Sequence, residues 1–488
     1  MPQMTRKLTI LHTNDIHSFF ERMPRIASAL EDLRRGRGPE EVLTVDIGDH
    51  LDRMRLETEA SGGMANVDVM NATGYEAAVL GNNEGLTYPR EVLAESYTHA
   101  NFPILGSNLR ESPSGQIPDW MVPVLTVTKN GMRIGLIGVT AYFPDFYSLI
   151  GWEVLEPFAV TAELVHELRP QVDILIVLSH LGLGNDRRLA QEVSGIDLIL
   201  GGHTHHLLEH PERLGNTYIA AAGKYGQYVG EVQLEYNPAH REIVRLEGRC
   251  VNVESFPESP QIASLIAEHR YAGKVKMAAE AARLSEPLPI DWDHESPLGN
   301  LLAAGLRRWT GAEIGLVNAG QVLEGLDAGS VSRERLLDIC PSPINPCRLL
   351  LTGEQLLRAL EESLLDEFIQ TPLRGFGFRG VRLGTLCLDG ASVTYDPDAA
   401  PYEKIVSVRV NGRPLAKDRT YTVGTIDMFT FRVGYLSIAE GTETVYYLPE
   451  FIRDVLAHQL ALPEEIERCR QRRWMVIGDC GDGDEVLD

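Results

Sequence analysis

Acids, amides and histidines in this chain gather in five short polar clusters, and each cluster follows a brief apolar run. Asp15 and His17 follow residues 8–11. Gly48-Asp49-His50-Leu51-Asp52 follows residues 42–46. Gly81-Asn82-Asn83-Glu84-Gly85 follows residues 77–80. Ser179-His180-Leu181-Gly182 follows residues 174–178, and Gly201-Gly202-His203-Thr204-His205-His206 follows residues 198–200. Carboxylate and amide oxygens and imidazole nitrogens are ligands for divalent metals. Glycines beside them let the backbone turn sharply and bring a ligand close. One Asp-x-His pair or one histidine is ordinary surface or core. Five clusters with one grammar supply enough donors for two cations that share a carboxylate. Two cations about 4 Å apart clamp a phosphate and activate a water.

The elements that must position these clusters read as an α/β pattern. Strands are predicted at residues 8–11, 42–46, 77–80, 104–107, 134–139, 174–179, 198–200 and 218–222. Helices are predicted at residues 24–35, 64–72, 88–98, 160–169 and 186–193. The clusters therefore sit at strand ends, where the sites of open α/β sheets lie. An alanine-rich, charged stretch from Ser259 to about Leu284 predicts a long linking helix. A second unit follows Pro287-Leu288-Pro289 and opens with Ser296-Pro297-Leu298-Gly299-Asn300. The expected organisation is a first domain over residues 1–245, a linker helix over 246–286, a second domain over 287–460, and an extension over 461–488 with an acidic tail. That tail lacks the spacing of an EF-hand loop. No internal repeat is evident.

Composition narrows the partners. The 488 residues suit two domains, and the formal net charge of −24 repels a nucleic-acid polymer. A small phosphate compound can still bind where cations neutralise it. Six cysteines without a Cys-x-x-Cys pair fit free thiols in a reducing compartment, with a Cys340–Cys347 pairing the lesser reading. No signal peptide precedes the first strand and no apolar run reaches transmembrane length, so a cytoplasmic location away from membranes is expected. The oligomeric state is not legible.

The motifs D-x-H, G-D-x-x-D, G-N-x-E, a single His, and G-G-H-x-H, in this order, resemble the calcineurin-like metallophosphoesterases. Residues 10–17 and 201–205, with the second-unit opening at Ser296, are similar to the 5′-nucleotidase and cyclic phosphodiesterase branch. The resemblance covers roughly residues 7 to 450. It implies a four-layer αββα metallophosphoesterase domain followed by a smaller α/β 5′-nucleotidase-type C-terminal domain. It also implies two divalent metal ions, of which Mn, Zn, Fe and Co all suit such donors. One metal would take Asp15, His17, Asp49 and His205. The other would take Asp49, Asn82, His180 and His203, with Asp49 bridging.

The chain departs from that family at two places. The family reads G-N-H-E-F-D at the third cluster, where the histidine and the last aspartate form a catalytic dyad. Here Asn83 replaces the histidine and Leu86 replaces the aspartate. An amide donates a hydrogen bond but cannot deliver a proton. His50, beside Asp49, and His206 are the candidate substitutes, with an ordinary loop histidine the alternative for each. In the second unit the family's arginine-bearing N-G-G-G-I-R loop reads Asn318-Ala319-Gly320-Gln321-Val322-Leu323, and its aromatic base sandwich is not evident. Asn318, Tyr435 and Arg379, the last in the glycine-rich stretch 374–380, are the substrate-binding candidates; a plain surface turn is the alternative for that stretch.

The expected activity is hydrolysis of a small phosphate ester or nucleotide by a metal-bridging hydroxide, 5′-nucleotidase-like, with substrate bound between the domains. A cyclic phosphodiester or a nucleotide-sugar is the alternative substrate, and a nucleotide- or partner-binding protein without catalysis is the alternative class. Thiosulfate-ester hydrolysis has no support beyond the shared metal motifs.

Overall fold

The computed structural model describes residues 5–375 and 377–478. Most of the acidic tail lies outside them. The chain divides into two units, Met1–Lys274 and Val275–Asp488.

The first unit contains strands β1 (Arg6–Thr13), β2 (Val42–Asp46), β3 (Ala77–Val79), β4 (Ile104–Leu105), β5 (Met121–Val122), β6 (Val124–Lys129), β7 (Met132–Thr140), β8 (Ile174–His180), β9 (Leu198–Gly201), β10 (Glu212–Leu214), β11 (Thr217–Ala220), β12 (Tyr228–Asn237) and β13 (Glu242–Asn252). They form a sheet in the order β13-β12-β1-β2-β3-β4-β5 and a second in the order β10-β11-β9-β8-β7-β6. Strands β1 to β5 run parallel in the first sheet, as do β7, β8, β9 and β11 in the second.

Side-chain alternation shows why the strands read as continuous apolar runs. Leu8 and Ile10 of β1, Leu43 and Val45 of β2, and Ile174, Ile176 and Leu178 of β8 fill one core between the sheets. Residues of opposite parity in the first sheet, including Leu11 and Val42, face helices Met23–Arg34 and Met64–Thr73. Leu175 and Val177 of β8 face helices Pro157–Leu168 and Leu183–Glu192. Parallel strands covered on both faces need apolar residues on both. Each fully buried Leu or Ile stabilises the fold by roughly 1.5–3 kcal/mol. Three cores between four layers make an αββα sandwich, as expected.

Several sequence expectations change. Strands β12 and β13 form a long antiparallel pair that the pattern reading missed. The cluster at Gly81 is not a loop: Asn82–Thr87 form a short helix, α1, held by Glu84, whose carboxylate accepts from the Gly81 amide at 3.0 Å. The linking helix stops at Met277 rather than Leu284. It belongs to the first unit, where Ile262 and Ile266 enter the core and Arg270 donates to Glu57 at 2.6 Å. Beyond it, Glu280–Leu284 is a strand paired with Gly329–Ser332, because ladder hydrogen bonds and burial of Ala282 and Leu284 outweigh the helix preference of alanine.

The second unit packs around a five-stranded mixed sheet, with Ile314–Asn318 and Thr420–Ile426 near its centre, and a four-stranded sheet built on Ala391–Tyr395. It does not end at residue 460. Trp474–Val476 pairs with Ala391–Tyr395, and Cys469 and Trp474 enter the unit's core. Cys340 and Cys347 are buried free thiols, and all five described cysteines are free.

Candidate metal centre

All five clusters lie at the C-terminal ends of parallel strands, three on the first sheet and two on the second. Asp15 and His17 follow β1, Asp49 follows β2, Asn82 opens α1 after β3, His180 ends β8, and His203 and His205 follow β9. The loops are laced together by backbone hydrogen bonds. Asp15 N donates to Gly48 O at 3.0 Å, and His17 N to Asp49 O at 2.8 Å. Glu84, buried, accepts from the Asp49 and Leu51 amides at 3.0 and 2.8 Å as well as from Gly81. The packing leaves no room at Gly81, where a Cβ would lie 2.0 Å from Asp49 Oδ1.

Strain marks the same positions. Asp15, His17, Asp49, His203 and His205 all have left-handed backbone, with φ between 49° and 74°. That conformation costs a non-glycine residue roughly 1–2 kcal/mol. Such outliers persist where the surroundings enforce them, and they concentrate at functional sites.

The donors form two groups. Donor atoms of Asp15, His17 and His205 lie within 4.8 Å of one another, and so do those of Asp49, His180 and His203. His17 and His205 approach through their Nε2 atoms at 3.1 Å, and His180 Nε2 lies 3.3 Å from Asp49 Oδ1. His17 Nε2 is 3.9 Å from both Asp15 Oδ1 and Asp49 Oδ2, so the two groups adjoin. His180 Nδ1 donates to Ile47 O at 2.7 Å, which leaves Nε2 as the nitrogen that can face a cation once its proton is displaced. Asp15 takes a hydrogen bond from Asn14 at 2.7 Å, and its two oxygens share the single His203 backbone N–H at 3.1 Å.

The field in this cavity favours positive charge. Burial opposes charge on His180, but the neighbouring Asp49 carboxylate outweighs it and pushes His180 up to about 10. His17 is raised as well: burial works against its charge, and Asp52 and Asp49 prevail. His203 and His205 go the other way, down to about 4 and about 3, chiefly through burial and then through nearby His180 and His17 respectively. They are therefore neutral, with lone pairs to donate, at ordinary pH. Two buried atoms, Asn82 Oδ1 and His180 Nε2, have no hydrogen-bond partner. Buried polar atoms are rarely left so. Two divalent cations fit these donors: hard carboxylate and amide oxygens with imidazole nitrogens, in two adjoining sets.

Sequence reasoning missed two supports. Asp52 is buried, with Oδ2 at 3.4 Å from His17 Nδ1. Glu84 is the clamp described above. Both stand in the motifs G-D-x-x-D and G-N-x-E, so the signal was present. Asn83 is placed between the two donor groups. Its backbone amide donates to Asp49 Oδ1 and its side-chain amide meets His17 Nδ1, both at 2.8 Å.

Other candidates are placed elsewhere. His50 is buried against Asn66 and the edge of Tyr75. Burial lowers it to about 3, so it holds no proton to give near neutral pH. His206 is exposed and bonded to Thr204 at 2.9 Å. Asn318 is fully buried, donating to Leu383 O at 2.6 Å and accepting from Gln321. Tyr435 is also fully buried, stacked on Phe368, with its hydroxyl donating to Gly384 O at 2.7 Å. Both are parts of the second unit's core rather than an open binding surface. Arg379 is half-buried, with its backbone amide donating to Ser342.

Comparison with known proteins agrees with this geometry. Residues 8–207 match the calcineurin-like phosphoesterases, and residues 277–432 match the 5′-nucleotidase C-terminal domain. The metallophosphoesterase YunD of Bacillus subtilis (strain 168) is 38% identical over 462 residues, 94% of this chain and 100% of that protein. The chain belongs to the calcineurin-like phosphoesterases with a 5′-nucleotidase C-terminal domain. Phosphoesterases of this family act on phosphoester bonds and bind a dinuclear metal site. Two solved structures share the fold over the whole chain. The 5′-nucleotidase precursor of Thermus thermophilus is 23% identical with a TM-score of 0.60, covering 97% of this chain and 99% of its own. The NAD nucleotidase of Haemophilus influenzae is 17% identical with a TM-score of 0.67, covering 97% of each. Among the described residues of this phosphoesterase, no helix is long and apolar enough to cross a membrane.

Proposed function

We propose that this phosphoesterase hydrolyses small phosphate esters or nucleotides with good leaving groups, using two divalent transition metals drawn from Mn, Zn, Fe and Co. One observation carries the reading: two adjoining donor groups, Asp15/His17/His205 and Asp49/His180/His203, gathered from the C-terminal strand ends of both sheets. Asp49 stands between the two sets, and Asn82, next to the Gly81 that packs against Asp49, would offer its unpartnered oxygen to the second. Bound there, such cations supply electrostatic clamping of the phosphoryl oxygens and a water nucleophilic at neutral pH. The chain's own part is to hold the donors rigidly. Glu84 and the backbone lacing fix the loops, Ile47 holds His180 through Nδ1, and Asn83 holds Asp49 through its amide.

Asn83 also shapes the substrate preference. Its side chain is occupied with His17 and carries no transferable proton. Loss of a general acid typically costs about 10²–10⁴-fold, and least for a leaving group that needs no proton. A nucleoside monophosphate, displaced when water attacks the distal phosphorus of an ADP-sugar, or an aryl oxide is such a group, so ADP-sugar and aryl phosphates are preferred over AMP. The unpaired thiols fit a cytoplasmic setting.

The test is turnover of AMP, ADP-sugar and an aryl phosphate by metal-reconstituted wild type and Asp49→Ala. The aryl ester and ADP-sugar are expected to exceed AMP, with all turnover lost in the variant. AMP hydrolysed as fast as the aryl ester would sink the leaving-group argument. Equal traces of activity in both proteins would favour a binding protein.

A further inference from the structure

The second unit bears a cavity whose charge opposes that of the chain. About 260 Å³ in volume, it is lined by Arg307, Arg409, Arg468, Arg472 and Arg473 around one carboxylate, Asp389. Asp389 is 4% exposed and accepts from Arg307, Arg468 and Arg473, each at 3.0 Å. These bonds tie the end of Leu386–Asp389 to helix Pro297–Thr310, to the last residue of helix Pro463–Arg468 and to the segment after it. Glu465, 3.1 Å from Arg468, offsets one more charge. Even without Arg472, Arg307, Arg409, Arg468 and Arg473 outnumber these two carboxylates, and guanidinium keeps its charge at any physiological pH. Arg409 donates to the neutral Gly412 O at 3.2 Å, so that charge has no carboxylate against it among the described residues.

We propose that this cavity binds a compact anion carrying two or more linked phosphoryl groups. Guanidinium forks match phosphate oxygens in pairs, and several forks around one hollow suit several phosphoryl groups. Compactness follows from the rest of the molecule. At a net charge of −24, the surface repels a long polyanion, whereas a small one feels chiefly its immediate lining. The site belongs wholly to the second unit and does not depend on the metal centre.

The probe is methylenediphosphonate, a non-hydrolysable diphosphate, added to the full-length, metal-loaded protein and followed by hydrogen–deuterium exchange. Slower exchange is expected in residues 405–413 and 465–474. In Arg409→Gln/Arg472→Gln, which leaves the three arginines on Asp389 intact, half-protection should need roughly ten-fold more ligand. Protection at the metal loops should be the same in both proteins, which separates the two sites. Protection confined to the metal loops, or an unchanged dose response in the double variant, would overturn the proposal.

Discussion

His17 Nδ1 lies between two side chains, the Asp52 carboxylate at 3.4 Å and the Asn83 amide at 2.8 Å. An imidazole that offers Nε2 to a cation must keep its hydrogen on Nδ1. Ionised Asp52 only accepts, so it selects that tautomer, and a half-turn of the Asn83 amide presents its oxygen to the same hydrogen. Such partners typically change metal affinity 10–100-fold. Asp52→Ala is therefore expected to weaken metal binding by roughly that factor, read by titrating metal into apoprotein, while the fold survives. Unchanged affinity would show that Asp52 does not orient His17. The residue types of the centre were legible because five clusters repeat one pattern. What Asn83 touches was not, since sequence spacing says nothing of the approach between loops from different strands.

Elements buried on both faces announce themselves. Strands β1, β2 and β8 read correctly because each residue parity meets its own core. Strand β13 exposes much of its charged face, so its residues resemble a loop, and its partner β12 was missed with it. Helix α1 was hidden by Gly and Asn, which favour turns; the Glu84 clamp decides its shape. In the second unit, Asn318 and Tyr435 show the limit of matching loops by sequence: each occupies the expected strand end or loop and turns into the core. Asp427, opening the short helix after Thr420–Ile426, gives that unit a pH signature. Burial pushes its carboxyl up to about 7. The folded state thus holds this proton more tightly than the unfolded chain, whose value is about 4. The stability it contributes is complete below pH about 4 and is lost as pH rises through about 7. Asp427→Asn should flatten that part of the stability–pH curve, measured by urea unfolding followed with a second-unit probe. An undiminished slope would place the proton elsewhere.

At the scale of the molecule, the chain is two separately packed units with different chemistry. Metal donors lie only in the first, among the described residues. Ligands that bind only the folded state stabilise it by mass action, about 2.7 kcal/mol at a hundred-fold excess over Kd. A chelator is therefore expected to speed hydrogen exchange in the loops after β1, β2, β3, β8 and β9, and to leave residues 297–360 unchanged. Equal loosening of both units would contradict a metal centre confined to the first. The domain division was legible from the change of pattern near residue 287. The exact seam was not, because the helix Pro260–Met277 is amphipathic toward the first unit through only a few apolar residues.

The most direct measurement is an anomalous-difference map from crystals of metal-reconstituted protein, collected at the absorption edge of the bound metal. Two peaks about 4 Å apart are expected. One should be held by Asp15, His17 and His205, the other by Asn82, His180 and His203, with Asp49 touching both. A single peak, or peaks away from these residues, would contradict the two-metal centre.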